Sequence, residues 1–135
     1  KRYLEGSARI DGDNPEAEGR WINQVHCQDA ASALAHLVGM VGNPGIYNVC
    51  DETPLRQRDC YEQFDRRFGL GVPGVQPPDK GRARGWSDKR VSCQSLRSLG
   101  WCPRYASYFE ALDNDRELLP SIMAEVSPGG ETAKG

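Results

Sequence analysis

Long apolar runs are missing from this chain, and none approaches the length needed to cross a bilayer. The first residues, Lys1-Arg2-Tyr3-Leu4-Glu5-Gly6, contain neither an initiator Met nor the apolar core of a signal peptide. The expectation is a cytoplasmic protein that begins in the middle of something longer. A surplus of positive charge is also missing: 17 Lys and Arg stand against 19 Asp and Glu. That argues against general nucleic-acid binding, which requires a basic footprint. No Cys-x-x-Cys occurs, and the five cysteines (Cys27, Cys50, Cys60, Cys93 and Cys102) are odd in number. A secreted disulfide framework is therefore disfavoured, and the thiols read as reduced, small apolar groups. His26 and His36 do not fall among the cysteines at a zinc-binding spacing, so a metal site is the weakest of the functional readings.

Large apolar side chains are scarce in residues 1 to 20 and 113 to 135, and 71 to 89 are rich in Gly, Pro and charge. About half of the 135 residues remain to build a core. That is thin for an independent fold, and it suggests a missing partner surface.

What is present reads as alternating short elements. Asp11-Gly12-Asp13-Asn14-Pro15 is turn chemistry. Arg20 to His26 contains Trp, Ile and Val and predicts a short strand. Asp29 to Val41 predicts a helix, with Asp29 capping its start and Gly42 in the left-handed position past its end. Ala30, Ala33, Leu34, Leu37, Val38 and Val41 form its apolar face. Asn43-Pro44-Gly45 predicts a turn, and Ile46 to Val49 a strand. A second helix is expected over Gln57 to Phe68, with Cys60, Phe64 and Phe68 on one face and Gly69 as its stop. Residues 71 to 88 read as a long irregular loop. Ser92 caps a short helix ended by Gly100, a last helix covers Ser107 to Leu112, and 113 to 135 read as a frayed tail.

The order of four blocks carries a resemblance. Trp21-Ile22-Asn23-Gln24-Val25-His26-Cys27-Gln28-Asp29-Ala30-Ala31 resembles the strand, His-x-x-Asp and small-residue helix of the extended short-chain dehydrogenase/reductases. Gly45-Ile46-Tyr47-Asn48-Val49-Cys50-Asp51-Glu52-Thr53-Pro54 is similar to that family's G-x-Y-N-V-x-D-x-x-P. Lys89-Arg90-Val91-Ser92-Cys93-Gln94-Ser95-Leu96 is similar to its K-R-V-S-N-x-x-L, with Cys93 where Asn is commoner. Leu99-Gly100-Trp101-Cys102-Pro103-Arg104-Tyr105 is similar to its L-G-W-x-P-x-Y. The blocks span most of residues 2 to 112, and the branch they resemble is that of the NAD-dependent nucleoside-diphosphate-sugar epimerases and dehydratases.

The resemblance implies an α/β fold, in which residues 1 to 112 form the small C-terminal substrate-binding lobe and the cofactor-binding Rossmann domain is missing. In that family a Gly-rich loop holds NAD or NADP and a Tyr-x-x-x-Lys pair exchanges the proton that accompanies hydride transfer. Neither occurs here: Tyr3, Tyr47, Tyr61, Tyr105 and Tyr108 are followed four residues on by Ser7, Asp51, Asp65, Phe109 and Leu112. The implied role is to shape the substrate pocket of a parent enzyme that uses NAD or NADP, with no catalytic, cofactor-binding or metal-binding residue in this chain. The expected partners are a small-molecule substrate, such as a nucleotide-sugar, and the missing Rossmann domain, docked on an exposed apolar face.

Candidate substrate contacts are Arg90, Lys89, His26, Asn23 and Trp21. Arg90 lies at the start of an ordered block, and guanidinium pairs bidentately with phosphate or carboxylate; Lys89 comes next. Structural hydrogen bonding is the leading role for His26 and pocket lining the second. Trp21, on the same strand face as Asn23, is core or pocket wall. Asp29 is a helix cap before it is a substrate contact, Asn48 ties down the turn after it, and Trp101 is core or a cover on Leu96 and Leu99. Arg82 and Arg84 read as solvated loop charges. The alternative to an enzyme fragment is a stand-alone, non-catalytic module that binds a nucleotide-sugar or a protein.

Overall fold

The computed structural model describes residues 1–40, 42, 44–79, 81 and 88–126. The expectations for Val41, Asn43, Arg82, Arg84 and the chain from Ser127 onward lie outside them. Among the described residues the fold is mixed α/β, with β1 (Ile10–Asp11), β2 (Trp21–Ile22), α1 (Cys27–Val38), β3 (Leu55–Arg56), α2 (Gln57–Phe68), β4 (Val75–Gln76), α3 (Gln94–Arg97), α4 (Tyr108–Asn114) and α5 (Leu118–Ala124). β1 pairs in parallel with β4, Ile10 opposite Val75. β2 pairs antiparallel with β3, Trp21 opposite Arg56.

The two small sheets are joined by Gln57, the first residue of α2. Its amide is 4% exposed. Oε1 accepts from the backbone N–H groups of Asp11 (2.9 Å) and Arg20 (3.1 Å), and Nε2 donates to Asp11 Oδ2. One buried amide thus satisfies backbone groups that no ladder reaches. Gly19 makes this approach sterically feasible. It has φ +72°, and a side-chain carbon there would collide with the Gln57 amide oxygen.

α2 has its predicted bounds, and Gly69 ends it at φ +65°. Its Phe64 stacks on Tyr3 (5.3 Å) and meets Phe109 of α4 edge-on (5.1 Å), while Cys60 is buried on the same side. Leu119 and Ile122 of α5 line a small void beside these rings. α5 lies where a frayed tail was expected, because α4 and α5 together give the aromatic cluster a cover. β4 likewise lies within the stretch read as an irregular loop.

A second core joins Ala33, Cys50, Cys93, Leu96 and Trp101. The apolar stripe of α1 divides over it. Ala33 is fully buried and Leu37 packs against the cluster, but Leu34 and Val38 are 65% and 83% exposed. The single buried face read from the helical spacing is therefore half covered. Two strand expectations also fail. The strand over Arg20 to His26 shrinks to Trp21–Ile22, since β3 is two residues long and a ladder cannot outrun its partner. Ile46 to Val49 forms no strand: no described strand lies alongside it, and Ile46 is 99% exposed.

Candidate functional site

Asn23 organises the residues around Arg90. Its Oδ1 accepts from the Val91 backbone N–H (2.7 Å), and its Nδ2 donates to the Lys89 carbonyl (2.9 Å). A single side-chain amide thereby imitates a strand partner on both sides of Arg90. Trp21, two residues earlier, donates its backbone N–H to Asp88 Oδ1 (2.9 Å). Asp88 also receives two 2.8 Å bonds from Arg56. The Arg56 guanidinium lies 4.2 Å from the centre of the Trp21 ring and that of Arg90 lies 5.6 Å from it, both within the range of cation–π attraction. Four of the five candidates, Trp21, Asn23, Lys89 and Arg90, are thus neighbours.

Arg90 forms part of the wall of an open cleft of about 400 Å³, with Glu52, Ser92, Gln94 and Arg97 among the other lining residues. Arg97 pairs with Glu52 at 2.7 Å. Arg90 is exposed and has no carboxylate partner among the described residues. Lys89 is exposed on the same segment. The cleft therefore presents a guanidinium free to receive an anion, held in place by an aromatic ring and a clamped backbone.

Asp51 helps to line this cleft and also a 60 Å³ pocket beneath Tyr105 and Tyr108. Burial raises its pKa above the ordinary carboxylate range, against the opposing pull of the Thr53 and Tyr108 backbone N–H groups. The opposite holds for Asp88, whose pKa is lowered first by the Arg56 hydrogen bonds and then by the Trp21 N–H. The contribution of Asp88 to stability should therefore be complete above its unfolded value of 3.8 and fade as pH falls through its lower folded value. A carbon-13 titration of the Asp88 carboxyl should show a midpoint below 3.8 that returns toward it in Arg56→Ala.

His26 takes no part in the Arg90 group. Its ring caps α1, with Nδ1 accepting from the Gln28 N–H (3.3 Å), and Nε2 bonds to Asp115 Oδ2 at 2.9 Å. Since Nδ1 accepts, the proton lies on Nε2 and Asp115 accepts it. Tyr105 meets the ring edge-on at 4.8 Å. His26 walls the 60 Å³ pocket, but both nitrogens are already engaged, as its structural reading expected. It also takes the capping role assigned to Asp29, since α1 begins two residues before Asp29.

Asp29 is 2% exposed, and its two carboxyl oxygens accept from the backbone N–H groups of Arg104 (2.6 Å) and Tyr105 (3.2 Å). It anchors a distant loop and does not cap its own helix. Asn48 donates to the Ser92 carbonyl at 3.4 Å, reaching across to the Arg90 segment where a bond to its own following turn was expected. Trp101 is core, 4% exposed, with Nε1 donating to Ser32 Oγ at 3.0 Å. Sequence reasoning missed Arg56, Asp88 and Glu52. Each is an ordinary charge in the chain, and only the partner it meets across the fold marks it.

Among the described residues no three His, Cys, Asp or Glu side chains group as a metal would require, and no helix is long and apolar enough to cross a membrane. The described helix starts do not fit a dinucleotide either. α1 opens on His26-Cys27-Gln28 with its cap occupied by an imidazole, and α2 opens on Arg56-Gln57-Arg58. Neither offers the glycine turn that lets a pyrophosphate approach backbone N–H groups.

No family model matches the chain, and no curated protein matches it. A solved structure, described as that of a functionally unknown conserved protein from Silicibacter pomeroyi DSS, is similar to it with a TM-score of 0.59 and 26% sequence identity. The similarity covers 84% of this chain and 44% of that one, so the chain spans less than half the length of that protein.

Proposed function

We propose that the chain is the C-terminal, substrate-binding part of an NAD(P)-dependent enzyme of the nucleotide-sugar epimerase/dehydratase kind, and that it is not catalytic alone. The observation that carries this reading is the free Arg90 guanidinium at a 400 Å³ cleft, fixed by the Asn23 clamp and the Trp21 ring. A diphosphate is a fitting ligand for such a guanidinium, with Lys89 adding charge from the adjacent position. Binding NAD or NADP falls to the missing Rossmann half, since no described helix start here suits it. The exposed Leu34, Val38 and Ile46 supply apolar surface for that half to cover. The 44% span of the similar structure agrees with a larger parent.

Titration calorimetry with a panel of nucleoside-diphosphate sugars tests the reading. Binding should be seen for at least one, and Arg90→Ala should weaken it about tenfold, roughly 1.4 kcal/mol. Arg66→Ala, on the far part of α2, should leave it unchanged. Flat traces across the panel would overturn the reading, as would turnover of a sugar by this chain with nicotinamide cofactor added.

A further inference from the structure

Cys50 and Cys93 come from separate blocks of the sequence, and the fold places them in one buried cluster. They are 4% and 6% exposed and share the core with Leu96 and Trp101. The Cys50 thiol points toward the segment that carries Cys93, with Sγ 3.7 Å from the Val91 carbonyl oxygen. Their surroundings differ from those of the other cysteines: Cys27 and Cys102 are exposed, and Cys60 is buried against the aromatic cluster on α2. Cys93 also forms part of the wall of the Arg90 cleft, so a small solute in the cleft can reach it. Cys93 is the residue at which its block departs from the family pattern, and anion binding makes no use of it.

We propose that Cys50 and Cys93 form a redox-responsive dithiol, which a peroxide entering the cleft converts to a disulfide across the cleft floor. The sulfur of Cys93 attacks the peroxide, the O–O bond breaks, and an alcohol (or water, from hydrogen peroxide) departs with the Cys93 proton. This leaves a sulfenic acid on Cys93. Cys50 then attacks that sulfur. The S–O bond breaks, and the hydroxyl leaves as water with the Cys50 proton. Two thiols lose two electrons, and the peroxide gains them. Burial and the neighbouring Cys93 push the Cys50 thiol up to about 12, so Cys50 is a poor first nucleophile and serves as the resolving partner.

The disulfide would tether the stretch 44–54 to the segment that carries Arg90, one wall of the cleft to the other. Closing so long a loop should raise the melting temperature by about 10 °C. This inference does not rest on the proposed substrate and can hold or fail without it.

The test is peptide mapping of the whole chain after treatment with hydrogen peroxide. Tryptic peptide 21–56 contains both Cys27 and Cys50, so the experiment is run in parallel on Cys27→Ser, a change at an exposed position. The expected product links peptide 21–56 to peptide 91–97. It should persist in Cys27→Ser and vanish with dithiothreitol, together with the gain in melting temperature. Recovery of Cys50 and Cys93 as separate alkylated thiols would overturn the proposal. So would a sulfinic acid on Cys93 without a cross-link, or linkage to Cys60 or Cys102 instead.

Discussion

Trp101→Ala should cost about 4 kcal/mol of folding stability, in the range measured for removing a large aromatic ring from a packed core. The indole is 4% exposed and closes the cluster of Ala33, Cys50, Cys93 and Leu96, with Leu37, Tyr47, Val49 and Val91 packed around it. Few other large side chains are available to collapse into the space. A domain of this size commonly has 5–15 kcal/mol in all, so the variant should unfold at a much lower urea concentration. Trp101→Phe separates the ring from its polar handle. It keeps most of the apolar volume and loses the 3.0 Å bond to Ser32 Oγ, so its cost should be about 1–2 kcal/mol. A Trp101→Ala loss below about 1 kcal/mol by equilibrium unfolding would show that this cluster is not the core.

Asp29→Ala should cost about 3 kcal/mol. Two backbone N–H groups, of Arg104 and Tyr105, point at the two Asp29 oxygens from the loop after Trp101. Removing the carboxyl leaves both donors without a partner in a site that is 2% exposed at Asp29, and each buried unsatisfied donor costs about 1–3 kcal/mol. Asp29→Asn is the informative companion. One amide oxygen can still accept, while the amide nitrogen faces the second N–H, so about half the loss should return. A helix cap would behave differently, costing typically about 1 kcal/mol on replacement by Ala. Chemical denaturation of the two variants therefore distinguishes the loop anchor from a cap. The loop carries Tyr105, whose ring meets His26. Fluorescence or amide exchange should thus report loosening around the 60 Å³ pocket as well as global destabilisation.

How far the sequence could be read follows from the range of the forces involved. α2 was legible to the residue because its determinants are local. Cys60, Phe64 and Phe68 repeat every four residues, and Gly69 accepts the left-handed turn. α3, with Gly100 beyond it, was legible for the same reason. The strands were less so, because a strand's length is set by a partner that lies far away in the chain. Ile46 to Val49 has strand residues but no described strand alongside it, so it forms no ladder, although Tyr47 and Val49 pack on the Trp101 cluster. α5 was missed because Leu118, Leu119, Ile122 and Met123 are too few to show a periodicity of their own, and their order depends on the aromatic cluster they cover.

The candidate site divides in the same way. Arg90 and Lys89 stood out as charges at the start of an ordered block. Nothing in the chain could show that Asn23 would grip the backbone on both sides of Arg90, or that Arg56 would share the Trp21 ring with it. Those contacts span 35 to 69 positions of sequence. His26 makes the structural hydrogen bonds expected of it, whereas Asp29 does not cap: α1 begins two residues before it, so its carboxylate lies inside the helix and faces the 104–105 backbone.

The sequence by itself determined α2 and the presence of α1, though not its bounds (Cys27–Val38 ending at Gly39, where Asp29 to Val41 ending at Gly42 was expected), the absence of a described membrane span and of a Tyr-x-x-x-Lys pair, and the resemblance in block order that suggests a parent enzyme. The tertiary structure alone decided which polar groups share a partner: Asn23 with 89–91, Asp29 with 104–105, Cys50 with the Val91 carbonyl. Helical order is encoded by neighbours three and four residues apart. A buried hydrogen bond or a thiol pair is encoded only by where the whole chain comes to rest.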